Sequence, residues 1–434
     1  MSHGRPRTAR GSPRRERGVR LETARRVLAN GLRAVVHENR AAPIACVLVH
    51  SETGQRFEPE EKAGISCLVG MLLDSGTREK SAQKIAGDIE FIGGALSTNA
   101  HGVRIKVRSR DLVRALDAAA DCTLRPIFPA DRVELERDKL LAEIQSERDS
   151  PKKVAWHAFD HLVYGKRHPY HRPVKGYAET VSRLARKDVV SHHRTYFASN
   201  NSIVIVSGDV RADDVFAGLE DAFGAWRPRE VPPPKVPAVR RQVSVRRTWV
   251  SMQRSQIHLY LGHLGIRRTD PDYHTLRVMD DVLGMGTGFT DRISRKLRDE
   301  QGLAYSVYAT ITQYAGQEPG TFHAYIGTSP ENREKVVAGF LDEIRRIREE
   351  RVSREELAAA QNYLANHYVF GFESNSQRCD HLLFLERYGL DTSYFLEYPE
   401  RIRSVTRDEI RDAAARNLDP DHYCLAIAGP RNGA

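Results

Sequence analysis

Hydrophobic and polar positions along the 434-residue chain fall into two successive series of strands and helices. After Asn30-Gly31, the runs LRAVVHEN and IACVLVHS read as a hairpin-like pair of strands. A helix is predicted over about 59–73, and a second over 81–93 ends at Gly93-Gly94. ALSTNAHGVRIKVRS alternates like a strand, and 111–123 reads as a helix. PADRVELERDKLLAEIQSER, 129–148, is predicted as an amphipathic helix with Pro129 near its start. Residues 164–181 are rich in Gly, Pro and His and read as an ordered loop. SIVIVSGDV, 202–210, is a buried strand, followed by a helix over 212–224.

Residues 227–240 hold five of the 20 prolines and cannot be helix or sheet interior. Beyond this linker the pattern repeats. The segment 184–210 lines up with 405–431 at an offset of 221, with Gly208 on Gly429. The chain therefore divides into a basic tail (1–26), a first domain (27–226), the linker and a second, similar domain (241–434).

Composition narrows the function classes. No run approaches 18 apolar residues, which argues against a membrane span. Five widely spaced cysteines without C-x-x-C indicate free thiols in a reducing compartment, and the expected location is cytoplasmic. The formal net charge of +10 is uneven: residues 1–26 carry nine arginines and two glutamates. They lack both an amphipathic apolar face and a secretory apolar core, so a disordered tail is expected. No aromatic residues are interleaved, which argues against nucleic acid as a partner.

Chemistry concentrates around Gly64-Ile65-Ser66-Cys67-Leu68-Val69-Gly70-Met71-Leu72 and the following Gly76-Thr77. This run resembles the active-site helix of the insulinase/pitrilysin family, with its inverted zinc pattern H-x-x-E-H. Two imidazoles on one helix face grip the metal there, and the Glu takes a proton from metal-bound water. Cys67 and Met71 stand at the two His positions and Gly70 at the Glu position. Gly70 has no side chain to act as a base, and a thioether is a poor zinc ligand.

Further motifs strengthen the resemblance, which covers about residues 27–430. H-P-Y-x-R-P at 168–173 resembles a loop of the family. Glu136 and Glu143 share a helix face seven residues apart. The resemblance makes Glu143 a relic metal ligand and Glu136 its supporting residue. RISRKLRDEQGLAYSVYATIT, 292–312, reads as a helix ending near Glu300, a turn at Gly302 and an alternating strand. It resembles the family signature L-R-x-x-x-G-L-A-Y-S, and GMGTGFTDR before it resembles the Gly-rich lead-in. The resemblance implies that Arg298 and Tyr305 cross a chamber to a zinc site, the Tyr hydroxyl donating to an oxyanion and the Arg holding a substrate carbonyl. Ser97-Thr98-Asn99-Ala100 resembles the edge strand on which an extended substrate pairs. His168, His171, His192 and His193 read as loop and surface residues.

The implied fold is α+β: two similar tandem domains, each a mostly antiparallel sheet with helices on one face, together a half-clamshell. The implied function is a non-catalytic, substrate-binding subunit of a heteromeric zinc peptidase acting on peptides or unfolded segments. It binds no cofactor itself, and the zinc is expected in a sister subunit with an intact H-x-x-E-H. Two alternatives stay open: a scaffold homologue with no role in proteolysis, and a peptidase with an altered metal centre at Cys67 and Glu143.

Overall fold

The computed structural model describes residues 18–287 and 290–431. One sheet comprises β1 (Ala24–Val27), β2 (Arg33–Glu38), β3 (Ile44–Ser51), β4 (Ala95–Asn99), β5 (Gly102–Arg108) and β6 (Ser202–Gly208). Its spatial order is β1-β2-β6-β3-β5-β4. The other comprises β7 (Arg246–Ser251), β8 (Ile257–Leu264), β9 (Val307–Thr310), β10 (Thr321–Thr328) and β11 (Cys424–Gly429), in the order β7-β11-β8-β10-β9. β2 pairs in parallel with β6, and β7 in parallel with β11; every other pairing is antiparallel. With β1 set aside, the two orders correspond strand for strand. The repeat seen at 184–210 and 405–431 thus ends on the equivalent strands β6 and β11. Gly208 and Gly429 close them where a neighbouring backbone passes: a Cβ would lie 2.3 Å from the Ile44 carbonyl oxygen and 2.6 Å from that of Gln256.

Three strand expectations need correction. Asn30-Gly31 does turn a hairpin, with Gly31 at φ 81°, but it joins β1 to β2. β2 and β3 are not neighbours, because β6, buried along its whole length, lies between them. The alternating stretch at 95–109 is two strands, β4 and β5, paired as a hairpin. The predicted tail is ordered over its described part: Leu21 is buried and Ala24–Val27 is a strand. Residues 1–17, and Gly288 and Phe289 of the Gly-rich lead-in, lie outside the described residues.

The first-half helices include α1 (Ile65–Leu72), α2 (Ala82–Phe91), α3 (Leu112–Leu124), α4 (Ala130–Arg148) and α5 (Pro151–Tyr164). α1 and α3 bury Leu68, Leu72 and Leu116 with Val47 and Val204 of the first sheet. The second half builds an equivalent core, with Met279, Phe340 and Ile344 against Leu259 and Phe322.

The remaining sheet faces are covered by exchange between the halves. α5, started by Pro151 in its first turn and capped by Ser150, packs on β7, β8 and β11 of the second sheet. Its Ala155, Phe159 and Val163 are buried with Tyr260, Leu264, Tyr325 and Ala426. Reciprocally, the helix Asn375–Tyr388 packs on β3 and β6 of the first sheet. Cys379, Leu382 and Leu385 are buried there with Val35, Leu48 and Ile205. The linker 227–240 contains neither helix nor strand. Just beyond it, buried Gln242 donates to the Val163 carbonyl of α5 and accepts from Leu264 N–H of β8. All five cysteines are unpaired thiols. Among the described residues no helix is long and apolar enough to cross a membrane.

The exchange makes a stability prediction. Phe159→Ala removes a fully buried ring from the second half's sheet, although its helix belongs to the first half. The expected loss is about 3–5 kcal/mol. Urea unfolding followed by fluorescence should show one transition, moved to lower urea. Two separate transitions with only one displaced would show that the halves do not depend on each other.

Candidate functional site

α1 begins at Gly64, which lies at φ 95° with the Lys175 carbonyl pressed against it: a Cβ would sit 2.4 Å from that oxygen. The orphan N–H groups of the helix start are met by a buried carboxylate. Glu58 accepts from Gly64 N–H at 3.0 Å and Ser66 N–H at 2.9 Å. Burial pushes the Glu58 pKa up, against these backbone hydrogen bonds. Arg172, from the H-P-Y-x-R-P loop, donates to the carbonyls of Gln55 and Glu58 at 3.1 Å each. His192 Nε2 lies 2.9 Å from Thr53 Oγ1 and 3.1 Å from Ser66 Oγ.

The histidines are therefore not the surface residues expected: His168, His171, His192 and His193 are all buried. His193 bonds the Thr123 carbonyl at 2.8 Å, and His168 Nδ1 accepts from Tyr170 N–H at 3.1 Å. Burial lowers their pKa values, to about 3 for His192 and about 4 for His193 and His168. They are neutral framework groups at neutral pH. For His192 and His193 sequence spacing could not show this, because their partners come from distant segments.

Within this frame the metal-binding positions hold apolar or paired groups. Cys67 and Met71 are partly buried and pack against the first core as small hydrophobes. Burial, and then the nearby Glu143 charge, push the Cys67 thiol up to about 11, so it is protonated at neutral pH. Gly70 is pressed against the turn after β4: a Cβ there would lie 2.3 Å from the Asn99 carbonyl carbon and 2.5 Å from Ala100 N. Neither atom can yield without moving the strand. Glu143 is half-exposed and ion-paired to Lys175 at 2.7 Å. Glu136 is buried and pairs with Lys139 at 2.7 Å. Among the described residues no group of three or more His, Cys, Asp or Glu could hold a metal ion. A protonated thiol, a thioether, a bare glycine and a lysine-paired carboxylate do not fit zinc.

Beside Cys67 a cavity of about 260 Å³ opens between the two halves. Cys67, Ala100 and Tyr170 line it from the first half, and Gln317, Arg387 and Tyr388 from the second. Arg387 also binds Glu52 at 2.8 Å. None of the second-half residues lies in a motif, so the sequence carried no signal for them. β4 is the edge strand of its sheet, and Ala100 follows its last residue, Asn99.

Arg298 and Tyr305 stand elsewhere. Arg298 lies in a π-helix, Ser294–Glu300, with its Nε 3.5 Å from Asp299 Oδ1. Gly302 makes the turn at φ 63°, and β9, the edge strand of the second sheet, follows from Val307. Tyr305 is 92% exposed, and neither residue lines the cavity beside Cys67. Within one chain the structure does not bring the Arg–Tyr pair to the degenerate helix.

A direct test of the closed helix follows. Gly70→Glu must push the Asn99–Ala100 backbone away from α1, and the cost should be about 1–3 kcal/mol or more. Cys67→His, at a partly exposed position, should cost less. Thermal unfolding of both variants checks this; an equal or smaller loss for Gly70→Glu would show that the turn yields freely.

Comparison with known proteins agrees with the motifs. The model described as "Insulinase (Peptidase family M16)" matches residues 33–169, and "Peptidase M16 inactive domain" matches 183–364. An uncharacterised zinc protease of Mycobacterium tuberculosis is 31% identical over 420 residues, covering 94% of each chain. A probable mitochondrial-processing peptidase subunit beta of Arabidopsis thaliana is 25% identical, over 82% of this chain and 68% of that protein. The crystal structure of a peptidase M16 inactive domain from Pseudomonas fluorescens matches with a TM-score of 0.87 at 24% identity, covering 95% of this chain and 99% of that one. At that identity it shows the fold alone: the α+β, two-sheet architecture described above. With matches that span nearly its whole length, the chain belongs to the insulinase family, peptidase family M16.

Proposed function

We propose that this chain is the non-catalytic, substrate-binding subunit of a heteromeric zinc peptidase that processes peptides or unfolded segments in the cytoplasm. Its partner is a sister subunit with an intact H-x-x-E-H, which carries the zinc. Arg298 and Tyr305 serve the partner's site, Tyr305 as a hydrogen-bond donor to an oxyanion and Arg298 as a holder of the substrate carbonyl. The edge of β4, ending at Asn99 and Ala100, offers backbone groups on which an extended peptide can add.

One observation carries this reading. The residues that match the family's substrate-handling signature are kept, and Tyr305 is 92% exposed, outside its own chain's cavity. A tyrosine placed so is available to a second chain. The metal helix, by contrast, has lost both base and ligands, and the backbone at Asn99 fills the space a base would need. Two copies of this chain would hold two Arg–Tyr pairs and no H-x-x-E-H, so a heteromer is required for catalysis.

The isolated chain should retain no stoichiometric zinc after metal exposure and desalting, and should cleave no unfolded substrate. About one zinc per chain, lost in Cys67→Ala, would favour the altered-centre alternative. Mixed with an H-x-x-E-H sister, it should give chelator-sensitive cleavage that neither chain gives alone. Tyr305→Phe should then lower kcat about 10²- to 10³-fold. Arg298→Ala should reduce kcat/KM without preventing assembly. Wild-type rates from both variants in the assembled complex would contradict the assignment and leave a scaffold role.

A further inference from the structure

With β1 set aside the two sheets match, but the helices laid on them do not. In the first half β6 is followed by the helix Ala212–Phe223, which packs on β2 and α3. Its Val215, Phe216, Leu219 and Phe223 are buried with Ala34 and Val36 of β2 and with Val204 and Val206 of β6. Its remaining surface is acidic, with Asp213, Asp214, Glu220 and Asp221 exposed. Among the described residues no helix follows β11 in the second half.

The parallel registers identify the equivalent positions. Val204 pairs with Ala34 and Val206 with Val36, while Leu425 pairs with Arg247 and Ile427 with Trp249. Leu425 and Ile427 stand at the repeat offset of 221 from Val204 and Val206. The helix Arg333–Glu349 follows β10 as α3 follows β5. Where the first half holds its 212–223 helix, the second half has an open groove of about 610 Å³. Trp249, Leu425 and Ile427 form its floor, and Val337, Ala338 and Leu341 of the 333–349 helix form a wall. Arg247, Arg333 and Arg431 also line it, against one carboxylate, Glu334, which pairs with Arg333 at 2.8 Å. The Arg333 guanidinium carbon stands 5.5 Å from the Trp249 ring centroid.

A contiguous apolar floor with a polar rim marks an interaction surface, and an amphipathic helix fills such a groove with its apolar face. An arginine rim selects acidic flanks and disfavours a basic segment. We propose that this groove docks an amphipathic helix of another protein, with its apolar face on Trp249, Leu425 and Ile427 and its acidic flanks against Arg247, Arg333 and Arg431. The 212–223 helix shows the chemistry required: apolar residues at 215, 216, 219 and 223, with carboxylates beside them. No residue of this groove borders the Cys67 cavity. The docking surface does not require the peptidase role and stands or falls separately from it.

Fluorescence anisotropy on the full-length chain tests the groove, with a labelled peptide of residues 211–224 as the probe. The chain should bind it saturably, and should bind a version with its four acidic residues changed to lysine about tenfold more weakly. Phe216→Ala within the peptide should weaken binding likewise, and that arm leaves the protein unaltered. Ala338→Glu and Arg247→Glu in the protein, both at exposed positions, should each weaken binding about tenfold. No saturable binding, equal binding of the lysine peptide, or binding unchanged in both protein variants overturns the proposal. So does a concentration-dependent dimer of the chain that Ala338→Glu dissolves, because a second copy then fills the groove.

Discussion

The structure depends on the reciprocal burial of one helix from each half in the sheet of the other. Phe159 and Val163 complete the apolar face of β8 and β11, while Leu382 and Leu385 complete that of β3 and β6. Burial of one such side chain is worth about 1.5–3 kcal/mol. Neither sheet could leave that face in water, so neither half is complete without the other. The same exchange sets the relative placement of the halves. It brings Gln317, Arg387 and Tyr388 over Cys67, and Tyr314 over Trp156.

Around α1, framework and chemistry have separated. The helix start keeps its buried Glu58, its Arg172 and His192 braces and a glycine at the Lys175 crossing. Each of those hydrogen bonds supports folding in the absence of any metal. The ligand positions have become packing positions: Cys67 and Met71 join the core, and Gly70 admits the backbone at Asn99. Helix interiors disfavour glycine by roughly 0.5–1 kcal/mol against alanine, but here a Cβ would cost more than it returns. The result is a packed helix in which a side chain at position 70 would meet the Asn99–Ala100 backbone.

Local patterns in the sequence were good guides to local structure. The stretch 81–93 held α2, Pro129 marked the start of α4, and the run 202–210 held the central buried strand. The motif run at 64–77 and the signature around Arg298 and Tyr305 were also legible, because their residue types are close in the chain. What was hidden depends on distant partners. The Asn30-Gly31 turn was visible, but which strand β2 would meet was decided by β6, about 170 residues later. Residues 151–163 received no assignment from the sequence, since the apolar face of α5 matches a sheet made from residues beyond 246. His192 and His193 looked exposed because nothing near them in sequence announced Ser66 or Thr123.

In the proposed heteromer one chain supplies Tyr305 to a metal site carried by another. The most direct measurement is a structure of the complex between this chain, an H-x-x-E-H sister subunit and a bound peptide. The Tyr305 hydroxyl should lie within about 3 Å of a peptide carbonyl oxygen at the sister's metal, with Arg298 beside it. A complex in which Tyr305 still faces solvent, and the peptide touches only the sister subunit, would contradict it.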